Sequence, residues 1–252
     1  MLRKFRQRSY ELENIDCGNY TAAEYEECIV ELQLVNEWLG DARTLKRTLL
    51  HDVEESSGRR FSVLDVGAGS GELLRVAASW ACENNLDFSG VGLELNERSA
   101  KAIVEESTEF PNIRSVRGDA RYLPFSDGEF DYVMCSLFTH HFVELEIINI
   151  LREMSRVARR RIFVIDLHRH PIAYYFYTTI GKLFLHNRLL REDGALSILR
   201  SFKRAELREL AIQAELRDAR VSRHFPYRLV LSAAAAVPKA KQQKPSVAER
   251  AA

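Results

Sequence analysis

The sequence has few of the signals that direct a chain to a membrane, an oxidising compartment or a polyanion. No stretch approaches the ~18 uncharged apolar residues of a membrane span, and the basic N-terminus leads into no apolar segment typical of a secretion signal. The four cysteines are scattered with no C-x-x-C pair, which favours free thiols. Lys and Arg total 36, as do Asp and Glu, so the net charge is zero. We therefore expect a cytoplasmic protein with no nucleic-acid partner and no stable membrane insertion.

The order of apolar patterns predicts an α/β fold. Short apolar runs alternate with segments that repeat apolar residues at helical spacing, which indicates a mostly parallel sheet. The last two runs are separated only by a short segment that contains Pro226 and Tyr227, so the final strand is expected to run antiparallel. The predicted strands are 61–66, 88–94, 113–117, 130–135, 162–165, 218–224 and 228–234. The predicted helices that follow or precede them are 42–53, 71–84, 97–107, 143–157 and 203–214, with a further helix starting at Thr21.

The most informative stretch runs from Val63 to Glu72. A buried strand ends at Asp65 and breaks into a loop with glycine at alternate positions, just before a helix. A dinucleotide-binding loop of the G-x-G-x-x-G type would have glycine at position 72. Glu72 stands there instead, and its carboxylate would repel a pyrophosphate. The loop therefore favours a cofactor that carries a nucleoside but no phosphates, and it argues against a nicotinamide-dependent reductase.

Two motifs give the chain a family resemblance. The D-x-G-x-G-x-G pattern from Asp65 resembles motif I of the class I S-adenosylmethionine-dependent methyltransferases. The run from Leu123 to Asp131 is similar to the segment before the fourth strand in the UbiE-like (type 11) branch of that family. The resemblance covers roughly residues 60–235. It implies a Rossmann-like, seven-stranded, mostly parallel sheet with an antiparallel last strand, an N-terminal helical extension and a helical lid insertion.

The domain boundaries follow from the same comparison. We expect an N-terminal arm and helical cap over residues 1–57, a methyltransferase domain over 58–235 with the lid at about 167–200, and a disordered, low-complexity tail over 236–252.

The resemblance also implies a set of cofactor contacts for S-adenosylmethionine. Glu94, at the end of the second strand, is expected to accept both ribose hydroxyls, unless it serves as a helix cap in place of Asn96. Asp119 is expected to accept the adenine amine; the alternative is a simple Asx turn. The full predicted set is Asp65, Gly67, Ala68, Gly69, Gly71, Glu94, Leu95, Asp119, Ala120, Ser136 and Leu137.

The adjacent pair His140 and His141 follows the fourth strand and supplies the catalytic candidates. Either imidazole could act as general base for a phenol or enol, because histidine titrates near working pH. In the alternative, one ring packs over the cofactor and the other caps the next helix. We predict no metal, because adjacent ligands are expected to point in different directions and no cysteine set accompanies them.

Candidate acceptor residues lie outside the predicted sheet. Arg43 is a candidate partner for the cofactor's carboxylate, or else a solvated arginine. The aromatic-rich lid offers Tyr174 and Tyr175, and also His168 near its start. Such a lid suits a planar hydrophobic acceptor; the alternatives are ordinary packing against the sheet and contact with a membrane surface.

The sequence thus predicts a methyltransferase for a small-molecule acceptor, acting as a monomer or homodimer. O-methylation of a phenol, quinol or polyketide-type compound is the first hypothesis. C-methylation of a quinone-type precursor and a non-catalytic S-adenosylmethionine-binding scaffold are the alternatives.

Overall fold

A computed structural model describes residues 2–21, 23–24, 27–28, 31, 40–181 and 185–236. Residues 237–252 of the predicted tail and most of the helix predicted after Thr21 lie outside these residues. The start of that helix is described: Glu24 accepts the Thr21 backbone N–H at 2.9 Å, and the Thr21 hydroxyl accepts the Glu24 N–H at 3.2 Å. This reciprocal pair confirms the capping box expected from the sequence.

The described residues form one seven-stranded sheet in the order β3-β2-β1-β4-β5-β7-β6. All neighbouring pairs from β3 to β5 are parallel, whereas β7 runs antiparallel to both β5 and β6. This confirms the predicted mostly parallel sheet with an antiparallel last strand. The strands are β1 (Arg60–Val66), β2 (Asp87–Glu94), β3 (Ile113–Arg117), β4 (Phe130–Ser136), β5 (Ala158–Leu167), β6 (Arg217–His224) and β7 (Arg228–Ala234).

Helices cover both faces of the sheet. Two further helical regions add to this layered arrangement, one N-terminal and one in the region predicted as a lid. An N-terminal helix, α2, consists of Asp41–Leu45, a π-helical turn Lys46–Leu50 and His51–Glu55. The region predicted as a lid contains α6 (Pro171–Phe176), which continues into a π-helical turn, Tyr177–Gly181, and α7 (Arg188–Arg200). The remaining helices are α1 (Asn14–Cys17), α3 (Glu72–Glu83), α4 (Glu97–Glu105), α5 (Glu144–Val157) and α8 (Arg204–Gln213).

The central strands are apolar on both faces because helices cover both. Val63, Leu64 and Val66 of β1 are all fully buried, as a strand sandwiched between helix layers requires. One hydrophobic cluster joins the sheet to α5 and α8, and a second joins it to α2, α3 and α4. Among the described residues, no helix has the length and apolar character needed to cross a bilayer.

A buried ion pair fixes α2 to the start of β7. The Arg228 guanidinium donates to both oxygens of Asp41, at 2.5 and 3.1 Å, and both residues are at most 2 % exposed. Taking two charges out of water is costly, and only their mutual attraction offsets this cost. Removal of one partner therefore leaves the other as an uncompensated buried charge. The contact holds the N-terminal helix at the carboxyl-terminal edge of the sheet.

We expect Arg228→Met to lower the free energy of unfolding by about 3–5 kcal/mol, because it leaves Asp41 buried without a counterion. Urea unfolding at neutral pH measures this. The double variant Asp41→Asn/Arg228→Met removes both charges and should recover most of the loss. A loss below about 1 kcal/mol in the single variant would contradict this account of the pair.

Candidate active site

A cavity of about 510 Å³ opens at the carboxyl ends of the parallel strands. Ligands in open α/β sheets bind at this edge, where the strand order reverses between β1 and β4. The predicted residues that line the cavity are Asp65, Gly67, Ala68, Gly69, Glu94, Ser136, Leu137, His140 and His141. The structure therefore brings most of the predicted cofactor set and both histidines to one place; their contacts with a ligand stay a prediction.

The three glycines of the loop after β1 have different tasks. All three have positive φ. A Cβ at Gly67 would lie 2.2 Å from the Phe138 ring, so this glycine makes room for a side chain of the protein itself. A Cβ at Gly69 would meet nothing within 4 Å, so only this one opens directly onto free space. Gly71 is the N-cap residue of α3 and packs on Ile103.

Two polar atoms in the cavity wall are buried without a hydrogen-bond partner in the described part of the chain. They are Asp65 Oδ1 and Ser136 Oγ. Burial raises the pKa of the Asp65 carboxyl to about 8, and the nearby Glu94 carboxylate adds to the rise. Native proteins rarely leave such groups unpaired. A cofactor with an amino group and hydroxyls would supply the missing partners, so these residues fit S-adenosylmethionine.

Glu94 lies beside the glycine loop and is not used as a helix cap. Its Oε1 accepts the Gly69 N–H at 2.6 Å, and burial raises its pKa. Asn96 caps α4 instead, accepting from the backbone N–H groups of Arg98 and Ser99. The cap alternative for Glu94 is thereby excluded.

Four residues of the predicted cofactor set do not line the cavity. They are Gly71, Leu95, Asp119 and Ala120. The Asp119 carboxylate accepts from Arg121 Nε at 3.0 Å and Nη2 at 2.8 Å, and these bonds lower its pKa. Asp119 also accepts the Arg121 backbone N–H, as in the alternative Asx turn. Ala120 packs in the core, whereas the Leu95 side chain is 62 % exposed.

Asp166, at the end of β5, is not among the predicted site residues, yet it binds the loop that carries the two histidines. It accepts His140 Nδ1 at 2.7 Å and the Thr139 hydroxyl at 2.6 Å. The backbone N–H groups of His140 and Leu167 also donate to it. Burial opposes its ionisation, but the His140 ring and these hydrogen bonds lower the pKa of Asp166 to about 2. A sequence signal existed: an acid directly after an apolar strand, the same signal that marked Asp65 and Glu94.

The loop that carries the histidines is held from the other side by two arginines. Arg200 of α7 donates to the carbonyl oxygens of His140 at 3.2 Å and His141 at 2.6 Å. Arg8 of the N-terminal arm donates to those of His140 at 3.2 Å and Phe142 at 3.0 Å. No local pattern in the sequence marks either arginine, because each acts on residues far away in the chain.

The N-terminal arm also places acids against the histidines. Glu13 lies 3.9 Å from His140 Nε2 and 3.8 Å from His141 Nδ1, and burial raises its pKa. The two imidazole rings are 4.3 Å apart at an angle of 32°, so the expectation that the adjacent rings point in different directions is wrong. Ligand atoms of these three residues lie within 4.8 Å of one another. However, the Arg200 guanidinium already lies 3.8 Å from Glu13 and forms an ion pair with Asp16, so a positive side chain already faces these acids. The absence of a metal stays a prediction.

The structure places the four predicted acceptor residues elsewhere. His168 lines a different cleft, Arg43 lies on α2 outside the cavity, and Tyr174 and Tyr175 pack edge-on against Phe5. Consecutive helical residues point about 100° apart, so the lid tyrosines cannot all face one way. The apolar wall of the cavity is instead formed by Ile15, Tyr20, Tyr177, Leu189, Leu190 and Ile198.

We expect stability to depend on pH through Asp65. Its folded-state pKa of about 8 lies above the ordinary value of 3.8, so the unfolded chain loses this proton first as pH rises. Between these two values, ionisation favours unfolding by up to about 1.4 kcal/mol per pH unit. Asp65→Asn should therefore gain stability relative to the natural protein between pH 5 and pH 8. Urea unfolding at each pH measures the difference, and a constant difference would contradict the assignment.

Comparison with known proteins agrees with this geometry. The family model described as "Methyltransferase domain" matches residues 63–161. An uncharacterized methyltransferase, YcgJ, of Bacillus subtilis is 30% identical over 131 residues, covering 48% of this chain and 47% of the relative. The demethylmenaquinone methyltransferase of Staphylococcus aureus is 25% identical over 188 residues, covering 70% of this chain and 75% of the relative. The chain spans about half the length of the Bacillus protein.

Solved structures share the fold. A SAM-dependent methyltransferase from Aquifex aeolicus superposes with a TM-score of 0.55 at 17% identity, covering 81% of this chain and 98% of that one. The magnesium protoporphyrin IX methyltransferase from Synechocystis with bound SAH gives 0.54 at 17% identity, covering 79% and 84%. Residues 63–161 therefore match a methyltransferase-domain model, and the described sheet has the fold of S-adenosylmethionine-dependent methyltransferases of known structure.

Proposed function

We propose that this protein transfers the methyl group of S-adenosylmethionine to an oxygen of a small hydrophobic phenol, quinol or polyketide-type acceptor. One observation carries this proposal. The buried His140 ring is held at Nδ1 by an ionised Asp166 and lines the cavity that also holds the glycine loop. Such a histidine is a general base next to a cofactor pocket, which is what a weakly acidic hydroxyl needs for transfer.

The chain offers complementary groups for each part of the cofactor. Asp65 and Ser136 would take the amino end, and the Glu94 carboxylate the ribose hydroxyls. Asp119 and the exposed Leu95 remain candidates for the adenine. When bound, S-adenosylmethionine supplies a methyl group on a positively charged sulfur, which is already activated. The protein's own task is then to orient the acceptor, exclude water and remove a proton.

The proton path follows from the Asp166 contact. An ionised carboxylate only accepts hydrogen bonds, so His140 Nδ1 carries the hydrogen and Nε2 carries the lone pair. As the acceptor oxygen gains its methyl group, its proton passes to Nε2, and Asp166 stabilises the resulting imidazolium. The apolar wall from α7 and Tyr177 suits an aromatic or aliphatic acceptor and keeps water out.

C-methylation is the second candidate, because the same base could take a proton from an enol or activated carbon. One protein of similar fold supports it by name: the CurJ carbon methyltransferase, which shares the fold with a TM-score of 0.53. We expect a monomer or homodimer in the cytoplasm without a nucleic-acid partner, since the cysteines are unpaired and the net charge is zero.

Cofactor binding is tested by calorimetry with S-adenosylhomocysteine. Glu94→Gln removes the charge that receives the ribose hydroxyls, so we expect affinity to fall by about 10- to 100-fold. Glu97→Gln, an exposed glutamate paired with Lys101, is the matched control and should change affinity less than about twofold. Equal affinity in all three proteins, or no binding to the natural one, would refute the proposed cofactor site.

The base is tested by turnover of phenols and quinols with labelled cofactor. We expect His140→Ala and Asp166→Asn each to lower kcat by about 10²- to 10⁴-fold while S-adenosylhomocysteine still binds. The defect of His140→Ala should shrink as pH rises toward about 10, because a phenol then ionises unaided. His51→Asn, an exposed histidine on α2, is the control. Full activity in His140→Ala would exclude the base, and tight cofactor binding without any turnover would favour a scaffold.

A further inference from the structure

A second cleft, of about 730 Å³, lies just past the carboxyl end of β5, next to the active-site cavity. Leu167 lines the active-site cavity and the next residue, His168, lines this cleft. Its walls carry five cationic side chains from the N-terminal arm, the start of α8 and the end of β6. They are Arg6, Lys203, Arg204, Arg208 and Arg223, and the cleft is also lined by a sixth cationic residue, the buried Arg169 after β5. We call this surface the basic cleft.

The positive charge of the basic cleft is not neutralised within it. No carboxylate lines the cleft in the described part of the chain. The adjacent Glu206 is bound to the buried Arg169 and caps α8 by accepting the Lys203 N–H. Burial lowers the pKa of His168 to about 4, and the surrounding His170 and Arg223 contribute to that fall. The chain has a formal net charge of zero, so this is a local concentration of charge rather than a property of the whole surface.

Exposed apolar side chains flank the basic cleft on two sides. On α6 and its π-helical continuation, Ile172, Phe176 and Ile180 recur every four residues, at 60%, 56% and 44% exposure. This stripe starts next to Pro171, which lines the cleft. At the β6–β7 turn, Phe225 is 74 % exposed, two residues after the cleft residue Arg223.

A ring contact joins these two apolar groups. His170, the N-cap residue of α6, stacks on Tyr227 of the β6–β7 turn with 5.1 Å between centroids. The start of the stripe and the turn that carries Phe225 are therefore fixed to one another, with the cations beside them. Grouped exposed apolar side chains mark protein or membrane interaction sites, and a local concentration of positive charge favours a negatively charged partner.

We propose that this face docks on the surface of an anionic phospholipid bilayer, with Ile172, Phe176 and Phe225 entering the interface and the basic cleft meeting the headgroups. Apolar side chains backed by cations are the pattern that lies in the plane of such a surface. Each cation near an anionic leaflet adds to the attraction, which screening by salt weakens.

Docking also has a consequence for the acceptor, and this part rests on the proposed function. The membrane-facing helix α6 continues directly into Tyr177, which lines the active-site cavity. A lipid-soluble acceptor could then leave the bilayer beside the wall of the pocket in which it reacts.

The test is co-sedimentation of the full chain with vesicles. We expect binding to phosphatidylcholine vesicles that contain about one third phosphatidylglycerol, little binding to pure phosphatidylcholine, and release at about 0.5 M salt. Ile172→Ser/Phe176→Ser and Arg208→Glu/Arg223→Glu should each weaken binding at least about tenfold. Leu145→Ser/Ile212→Ser and Arg59→Glu/Arg114→Glu make the same changes at other exposed sites and should bind normally.

Three outcomes would overturn the docking proposal: no sedimentation with anionic vesicles, equal loss in the control variants, or binding of soluble polyglutamate without binding of vesicles. Calorimetry with S-adenosylhomocysteine on the same surface variants should be unchanged. Failure of docking is thereby separated from failure of the cofactor site, which the Glu94 variant tests independently.

Discussion

The candidate active site depends on one buried negative charge, the Asp166 carboxylate. A charge removed from water is stable only when hydrogen-bond donors surround it, and here four donors from residues 139, 140 and 167 do so. Three of them belong to the loop after β4. The requirement to satisfy Asp166 therefore fixes the path of that loop, the tautomer of His140 and the direction of its second ring nitrogen. Chemistry and backbone geometry follow from the same contact.

The histidine loop is also fixed on its opposite side, by a different kind of interaction. Arg8 and Arg200 donate to its carbonyl oxygens, so donors from outside satisfy the backbone that a short irregular loop leaves unpaired. One arginine comes from the arm and the other from α7. The enclosing elements therefore do more than cover the cavity. They hold the catalytic candidate in place, which a rigid reaction site requires.

The alternation of apolar patterns was sufficient to predict the sheet, because strand burial and helix spacing are local properties. The same reasoning identified Asp65 and Glu94 as polar residues at strand ends, and it could have identified Asp166. Such reasoning cannot identify Arg8, Glu13 and Arg200, because their roles come from contacts with residues far away in the chain. The choice of Tyr174 and Tyr175 has a different weakness. Aromatic composition indicates a lid but does not tell which residues of its helix face the cavity, and Tyr177 rather than Tyr174 lines the cavity.

The docking of the N-terminal arm has a consequence for the order of assembly. Arg8 bonds the Arg200 carbonyl and Glu13 accepts the Ser197 hydroxyl, across 192 and 184 residues of chain. Contacts so distant in sequence form only after a long loop has closed. A growing chain that has just completed β5 holds the glycine loop, both histidines and the carbonyl oxygens that Arg8 binds, but the arm still lacks its partners on α7. The arm is synthesised first and α7 much later, so the pocket is completed only after α7 has been made.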